Sequence, residues 1–213
     1  MIRVFAGYDE REAFGYHVFC SSVIRTCSVP VAFTPVSDDQ ADGSNTFVYA
    51  RFKVAELCNF EGWAIFADAC DMLCIGDMAE LWALRDDRFA VQVVKNSYKT
   101  RNPIKYIGTA MQCPNVDYPR KNWSSLQLIN CAAPEWQKVP WSPKGQHQFA
   151  GFDDDRIGEL PAEWNVLVDE NGSPEGAKLL HWTAGSPGFW HYRNANGAEA
   201  WHAEHEFLRQ AYI

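Results

Sequence analysis

The feature that most constrains this chain is a short apolar run that stops on two carboxylates. It reads Gly62-Trp63-Ala64-Ile65-Phe66-Ala67-Asp68-Ala69-Cys70-Asp71-Met72-Leu73-Cys74. Trp63 to Ala67 has the length and apolarity of one buried strand, and Gly76-Asp77 beyond it reads as a turn. In an open α/β sheet, ligands bind beyond the carboxyl ends of the strands. Two Asp three positions apart at such an end can share one hard cation, and that cation can hold a diphosphate. The same residues can instead open a turn and cap the next helix, as Asp commonly does. The stretch alone leaves both readings open.

The 213 residues fit a single domain spanning 1–213. A hydrophobic fraction of 47% with 14% aromatics supplies a real core and sets disorder aside. Nine Trp is a high count, and Trp serves both core packing and stacking on sugars or bases. A net charge of −8 argues against a broad nucleic-acid surface, which needs clustered Lys and Arg. Basic residues concentrate only at Arg120-Lys121, with Lys99, Arg101 and Lys105 upstream, which suits a small anionic ligand. The seven Cys are scattered with no C-x-x-C pair, so zinc and thioredoxin-type chemistry are not expected and reduced thiols are. No basic-then-apolar leader precedes Ile2-Arg3-Val4-Phe5, and no apolar run approaches a membrane span. The expectation is a cytoplasmic protein without an integral membrane segment.

Strand and helix patterns alternate along the chain. Ile2 to Ala6 predicts a strand, Gly7-Tyr8-Asp9-Glu10 a turn, and the apolar spacing over Arg11 to Cys27 a helix. No G-x-G-x-x-G or P-loop lysine follows that first strand, so a Gly-rich phosphate loop is not expected; Tyr8 is placed to stack on a base or to pack the turn. Val31 to Val36 predicts a strand, and Thr46 to Asn59 a helix whose Arg51 could reach a phosphate. Further expectations are a helix over Asp77–Leu84, strands over Phe89–Val94, Leu126–Asn130, Trp164–Val168 and Lys178–Thr183, and a helix over Ala195–Tyr212. Lys95 to Tyr118 predicts a long functional loop, and Pro134 to Gln148 an irregular segment. Asp153-Asp154-Asp155 needs solvent or a cation to relieve its mutual repulsion. The alternation predicts an α/β domain with a mostly parallel sheet.

Taken in order, these segments resemble glycosyltransferase family 8, whose GT-A fold is a Rossmann-like nucleotide-diphospho-sugar sandwich. Val4 to Asp9, with Tyr16 and Ser21-Ser22, is similar to that family's nucleotide-binding strand, turn and helix. Tyr49-Ala50-Arg51-Phe52 resembles its donor-contacting Arg helix, and Phe66 to Leu73 stands at its D-x-D metal motif. Tyr118-Pro119-Arg120-Lys121-Asn122-Trp123-Ser124-Ser125 with Ile129-Asn130 stands at the place of its Asn-Ser-Gly strand. Asp153-Asp154-Asp155 followed by Leu160-Pro161-Ala162-Glu163-Trp164-Asn165 resembles its acidic segment and LPxxWN-like strand. His181-Trp182-Thr183-Ala184-Gly185 resembles its closing His-x-x-Gly motif. Three departures stand out. The carboxylates are spaced D-x-x-D, so either a bulged turn brings in both or Asp71 alone binds. The Lys that follows the closing motif is missing, leaving Lys121 or Arg120 to replace it. Trp123 occupies an Asn position.

The resemblance implies a metal-dependent, retaining transfer of a sugar from a nucleotide-sugar donor, UDP-linked by expectation, to a hydroxyl acceptor such as a carbohydrate. It implies Mn²⁺ or Mg²⁺ on Asp68, Asp71 and His181. It implies donor contacts from Ala6, Gly7, Tyr8, Asp9, Arg51, Asp68, Lys121, Ser124, Ser125 and Gly185. Asp153 and Asp154 are assigned to the donor sugar and its reacting face. The alternative is a weakened relative that binds nucleotide or carbohydrate without efficient transfer.

Overall fold

The computed structural model describes residues 1–38, 45–138, 143–170 and 172–210. The first strand, β1 (Ile2–Gly7), leads through a 3₁₀ turn at Glu10–Glu12 into helix α1 (Ala13–Thr26), and β2 (Val31–Val36) returns parallel to β1. A 3₁₀ segment Ala50–Lys53 and the short α2 (Val54–Leu57) precede β3 (Trp63–Ala67), which pairs parallel to the other side of β1. After β4 (Met72–Cys74), α3 (Met78–Ala83) and β5 (Val91–Val93) come a small hairpin, β6 (Ile104–Lys105) with β7 (Cys113–Pro114), and then β8 (Leu126–Asn130). The chain closes with α4 (Pro143–His147), β9 (Ile157–Glu159), β10 (Val166–Leu167), β11 (Leu179–His181) and α5 (Ala198–Gln210).

The central six-stranded sheet has the order β2-β1-β3-β8-β5-β9, and β8 alone runs against the other five. This is the mostly parallel α/β sandwich expected from the alternating pattern. The strands divide their side chains by the two-residue period of the pleat. Val4, Ala6, Ile65, Ala67 and Leu128 face one layer, where Phe19 and Val23 of α1 and Met78 and Leu81 of α3 cover them. Phe5, Ala64, Phe66 and Ile129 face the other, under Phe47, Phe52, Val54, Phe149 and Phe152. β2 and β3 flank β1 on opposite sides, so the chain reverses its winding there and opens a crevice at the carboxyl ends of β1 and β3.

A second sheet, β10-β11-β4, brings distant segments to that crevice. Met72-Leu73-Cys74, read as a run-on to a turn, is a strand because β11 pairs antiparallel with it, His181 opposite Met72. β9 was likewise unforeseen: three residues have too little periodicity to declare themselves, and β5 supplies the partner. The expected helix over 46–59 begins as a turn and a 3₁₀ segment, and the expected 95–118 loop carries the β6–β7 hairpin. The segment over 134–148 contains a 3₁₀ turn at Pro134–Gln137 and α4 where irregular chain was expected. The C-terminal helix is described to Gln210; residues 211 and 212 of its predicted span lie outside the described residues.

Candidate metal and donor site

The D-x-x-D spacing resolves into a bulged turn. Ala69 adopts a left-handed φ of 60°, Cys70 N–H donates to Asp68 O at 2.7 Å, and Met72 N–H donates to Ala69 O at 3.0 Å. A non-glycine residue in that region is uncommon and worth a structural reason. Here the turn absorbs the extra residue, so that Asp68 and Asp71 both face inward. Asp68 N–H is tied to Ser125 O at 2.9 Å, and Trp182 N–H to Asp71 O at 2.9 Å, which anchors the turn to both sheets. Beneath it, the backbone of α1 passes so close that a Cβ on Gly15 would lie 1.9 Å from Cys70 O.

One ligand atom each from Asp68, Asp71 and His181 falls within a mutual 4.8 Å, with all three residues buried. His181 Nε2 stands 3.3 Å from Asp71 Oδ1. Asp68 Oδ1 is 2.8 Å from Arg51 NH1, an ion pair without a directed hydrogen bond, and both Asp68 Oδ1 and Asp71 Oδ1 are buried without a hydrogen-bond partner among the described residues. Burial raises the Asp68 carboxyl to about 6, against the pull of Arg51 and with a further push from Asp71. Buried, orphaned carboxylate oxygens beside an imidazole nitrogen are costly on their own and fit a divalent cation.

The imidazole is held from behind. Asn165 Nδ2 donates to Ser125 Oγ at 2.9 Å and to Asn122 O at 3.3 Å, so its Oδ1 must face His181 Nδ1, 2.9 Å away. Nδ1 is thereby the protonated nitrogen and Nε2 keeps its lone pair toward the carboxylates, the arrangement common behind metal-binding histidines. A further acid, Glu12, is fully buried below, with both carboxylate oxygens lacking hydrogen-bond partners among the described residues. Burial, then the like charges of Asp71 and Asp9, push its pKa well above the carboxylate range.

The triad lines a cavity of about 620 Å³, within the roughly 300–1,000 Å³ of small-molecule sites. Of the residues assigned to a donor, Arg51, Asp68, Lys121 and Ser124 line it. Arg51 is buried; its Nε donates to Val48 O and NH1 to Ser124 O, so it braces Asp68. Lys121 Nζ is spent on Thr100 Oγ1, Asn115 Oδ1 and Val116 O at 2.6, 2.7 and 3.0 Å. Ser125 lies behind the wall in the Asn165 network. Ala6, Gly7, Tyr8, Asp9 and Gly185 are not among the lining residues. Tyr8 stacks edge-on against Tyr16, with ring centroids 5.2 Å apart. Asp9 is buried; burial raises its pKa, but hydrogen bonds from Arg11 outweigh that and hold it below the ordinary value. Gly185 lies against the Tyr192 ring, which a Cβ there would meet at 2.4 Å.

Asp153 and Asp154 are exposed on a 3₁₀ turn outside the cavity lining, and Asp154 pairs with Arg120. Residues without an assigned role fill the wall instead: Tyr49, Tyr118 and His147 form an aromatic side, with Lys105 and Tyr106 from the hairpin segment opposite in sequence origin. Asn165 carried a signal in its LPxxWN-like segment and Lys105 one in the local basic concentration; His147 carried none beyond residue type.

No protein-family model matches the chain. Among curated proteins it is 34% identical, over a 227-residue alignment, to Protein CDI of Arabidopsis thaliana, covering 96% of this chain and 86% of that one. Among solved structures it is similar to the WbbM bifunctional glycosyltransferase, with a TM-score of 0.69 at 14% identity over 96% of this chain. It is also similar to the galactosyltransferase LgtC in complex with donor and acceptor sugar analogues, with a TM-score of 0.62 at 13% identity, covering 96% of this chain and 95% of that one. The glycosyltransferase GlyE of Streptococcus pneumoniae TIGR4 matches with a TM-score of 0.60 at 12% identity over 96% of this chain. The chain spans 49% of the WbbM chain and 60% of the GlyE chain. Identities this low speak to the fold, and that fold is the GT-A glycosyltransferase type. The chain therefore belongs to the family of Protein CDI, built on a GT-A fold.

Proposed function

We propose that the protein is a metal-dependent glycosyltransferase of the family 8 type, moving a sugar from a nucleotide-sugar donor, UDP-linked, to a hydroxyl acceptor with retention. The observation that carries this reading is the buried Asp68–Asp71–His181 triad, with its two orphaned carboxylate oxygens, at the strand ends of a GT-A sheet. Two carboxylates and one imidazole suit Mn²⁺ or Mg²⁺. When bound, such a cation offsets charge growing on a departing diphosphate without proton transfer. The chain's own residues prepare the place: Asn165 orients His181, Arg51 braces Asp68, and the Ala69 bulge turns both Asp inward.

The departing phosphate is suited to take the acceptor's proton, so the reading requires no enzymic base. Asp153 and Asp154 lie outside the cavity lining, and their proposed part at the donor sugar is tested separately: full transferase activity of Asp154→Asn removes any essential role for its charge. Calorimetry of UDP binding with and without Mn²⁺ tests the reading. Asp71→Ala and His181→Ala each are expected to abolish the Mn²⁺-dependent part; unchanged affinity in both sinks it. A second reading, binding of nucleotide or carbohydrate without efficient transfer, is favoured by the missing Lys after the closing motif, where Ser186-Pro187-Gly188 stands. Release of free UDP from UDP-sugars in the presence of Mn²⁺ marks the enzyme, and tight binding without turnover marks the binder.

A further inference from the structure

The cavity wall carries three Lys and Arg side chains, and they differ in what their donors already do. Arg51 is spent on Val48 O, Ser124 O and the ion pair with Asp68. Lys121 has three acceptors for its three protons, all on the 100–116 segment that it ties down. Among the described residues the Lys105 side chain has neither a hydrogen bond nor an ion pair; its amine lies 5.4 Å from the Tyr106 ring centroid, and its charge favours the ionised forms of Asp68 and Glu12 from a distance. It is half-buried at the cavity wall, so it keeps an ammonium with unused donors facing a site that also holds buried carboxylates.

Its backbone is fixed. Lys105 pairs across the hairpin with Cys113, the next residue Tyr106 is fully buried and donates its N–H to Ala184 O at 2.7 Å, and Ile107 N–H donates to Tyr192 Oη at 2.8 Å. These anchors lie on the segment that follows His181, so the lysine is carried by the same part of the molecule that presents the third metal-binding group. An ammonium on a rigid base with a free head is organised for a ligand before the ligand arrives. A ligand that brings a cation and an excess of anionic oxygen together satisfies both this amine and the carboxylate oxygens of Asp68 and Asp71.

We infer that Lys105 is the anion-binding lysine of this cavity, meeting the diphosphate oxygens of a metal-bound nucleoside diphosphate, a role that Lys121 is too committed to fill. This inference rests on the proposed donor reading. It makes Lys105 a substrate-binding residue supplied by the β6–β7 hairpin, and it makes the hairpin part of the donor site.

The test is calorimetric titration of the full chain with UDP in saturating MnCl₂, for wild type, Lys105→Gln and Lys105→Arg, with thermal melts of each protein without ligand. A charge-assisted contact of this kind changes affinity by about 10- to 100-fold. Lys105→Gln is expected to weaken UDP binding by that amount and Lys105→Arg to restore most of it, while the melting temperatures stay together. Equal affinity of Lys105→Gln and wild type overturns the role of Lys105 and leaves the donor reading standing. Failure of wild type to bind UDP with Mn²⁺ overturns both. A loss of affinity in Lys105→Gln that tracks a fall in melting temperature, with no rescue by Arg, overturns the direct contact.

Discussion

Asn165 illustrates how much of this site depends on a residue that need not touch any ligand. Its amide is oriented by two donated hydrogen bonds, and its one free acceptor decides which imidazole nitrogen of His181 carries the proton. Removing such an outer partner typically costs 10- to 100-fold in metal affinity. Asn165→Ala is therefore expected to weaken Mn²⁺ binding by about that factor, read by calorimetry with Mn²⁺ alone. An unchanged Mn²⁺ affinity in that variant denies Asn165 the orienting role. At this scale the sequence was partly legible. Asp68, Asp71 and His181 were identified by residue type and order, and the structure brings them together. Lys121 and Arg120 were the candidates to replace the missing Lys, yet the charge of Lys121 is consumed locally by a loop whose path no short-range pattern reveals, and Arg120 pairs with Asp154.

The elements that hold the site depend on close contacts and caps. Gly15 sits where α1 crosses the 68–71 turn, and a methyl there would collide with Cys70 O. Overpacking against backbone costs about 1–3 kcal/mol. Gly15→Ala is expected to lower the denaturation midpoint accordingly and to weaken Mn²⁺ binding with it; a midpoint equal to wild type contradicts the contact. Asp77 caps α3, its Oδ1 accepting Ala79 N–H at 2.8 Å and Ser28 N–H at 3.0 Å. Hydrogen bonding from Ser28, aided by the Ala79 N–H, lowers its pKa to about 2. A carboxyl with a lowered native pKa stabilises the fold above its unfolded value, near 3.8, and loses that contribution as pH falls toward 2. Asp77→Ala is expected to cost about 1 kcal/mol at pH 7, and the gap between its urea midpoint and that of wild type should close on acidification. A gap that persists at the lowest workable pH refutes the cap's charge dependence. Gly76-Asp77 was legible as a turn opening a helix. β4 and β9 were not, because strands this short exist through their partners.

Across the whole molecule, the second sheet is backed by a cluster of its own. Leu73 of β4 and Leu180 of β11 pack with Val18, Trp182 and Trp201, so α5 supports the two strands from which Asp71 and His181 depart. Truncating a buried Trp costs about 3–5 kcal/mol. Trp201→Ala is expected to lose stability in that range by urea denaturation. Trp201→Phe should lose less, since the indole N–H has no acceptor to forfeit. Equal losses in the two variants overturn the packing account.

Local patterning specified the alternation of strand and helix and the sandwich it implies, because side-chain period is a property of a few neighbouring residues; Asp68, Asp71 and His181 were singled out together only through the family resemblance in the order of the motifs. Three things came from the assembled fold. The bulge at Ala69 places both carboxylates inside, because β3 and β4 join different sheets and the turn between them must answer to both. One side of the cavity wall is drawn from residues 105–118 rather than from the turn after β1, where Asp9 is already consumed by Arg11 and Thr46. And the unspent cation is Lys105 rather than Lys121, because availability of charge depends on which acceptors lie within reach, and reach is a matter of tertiary distance.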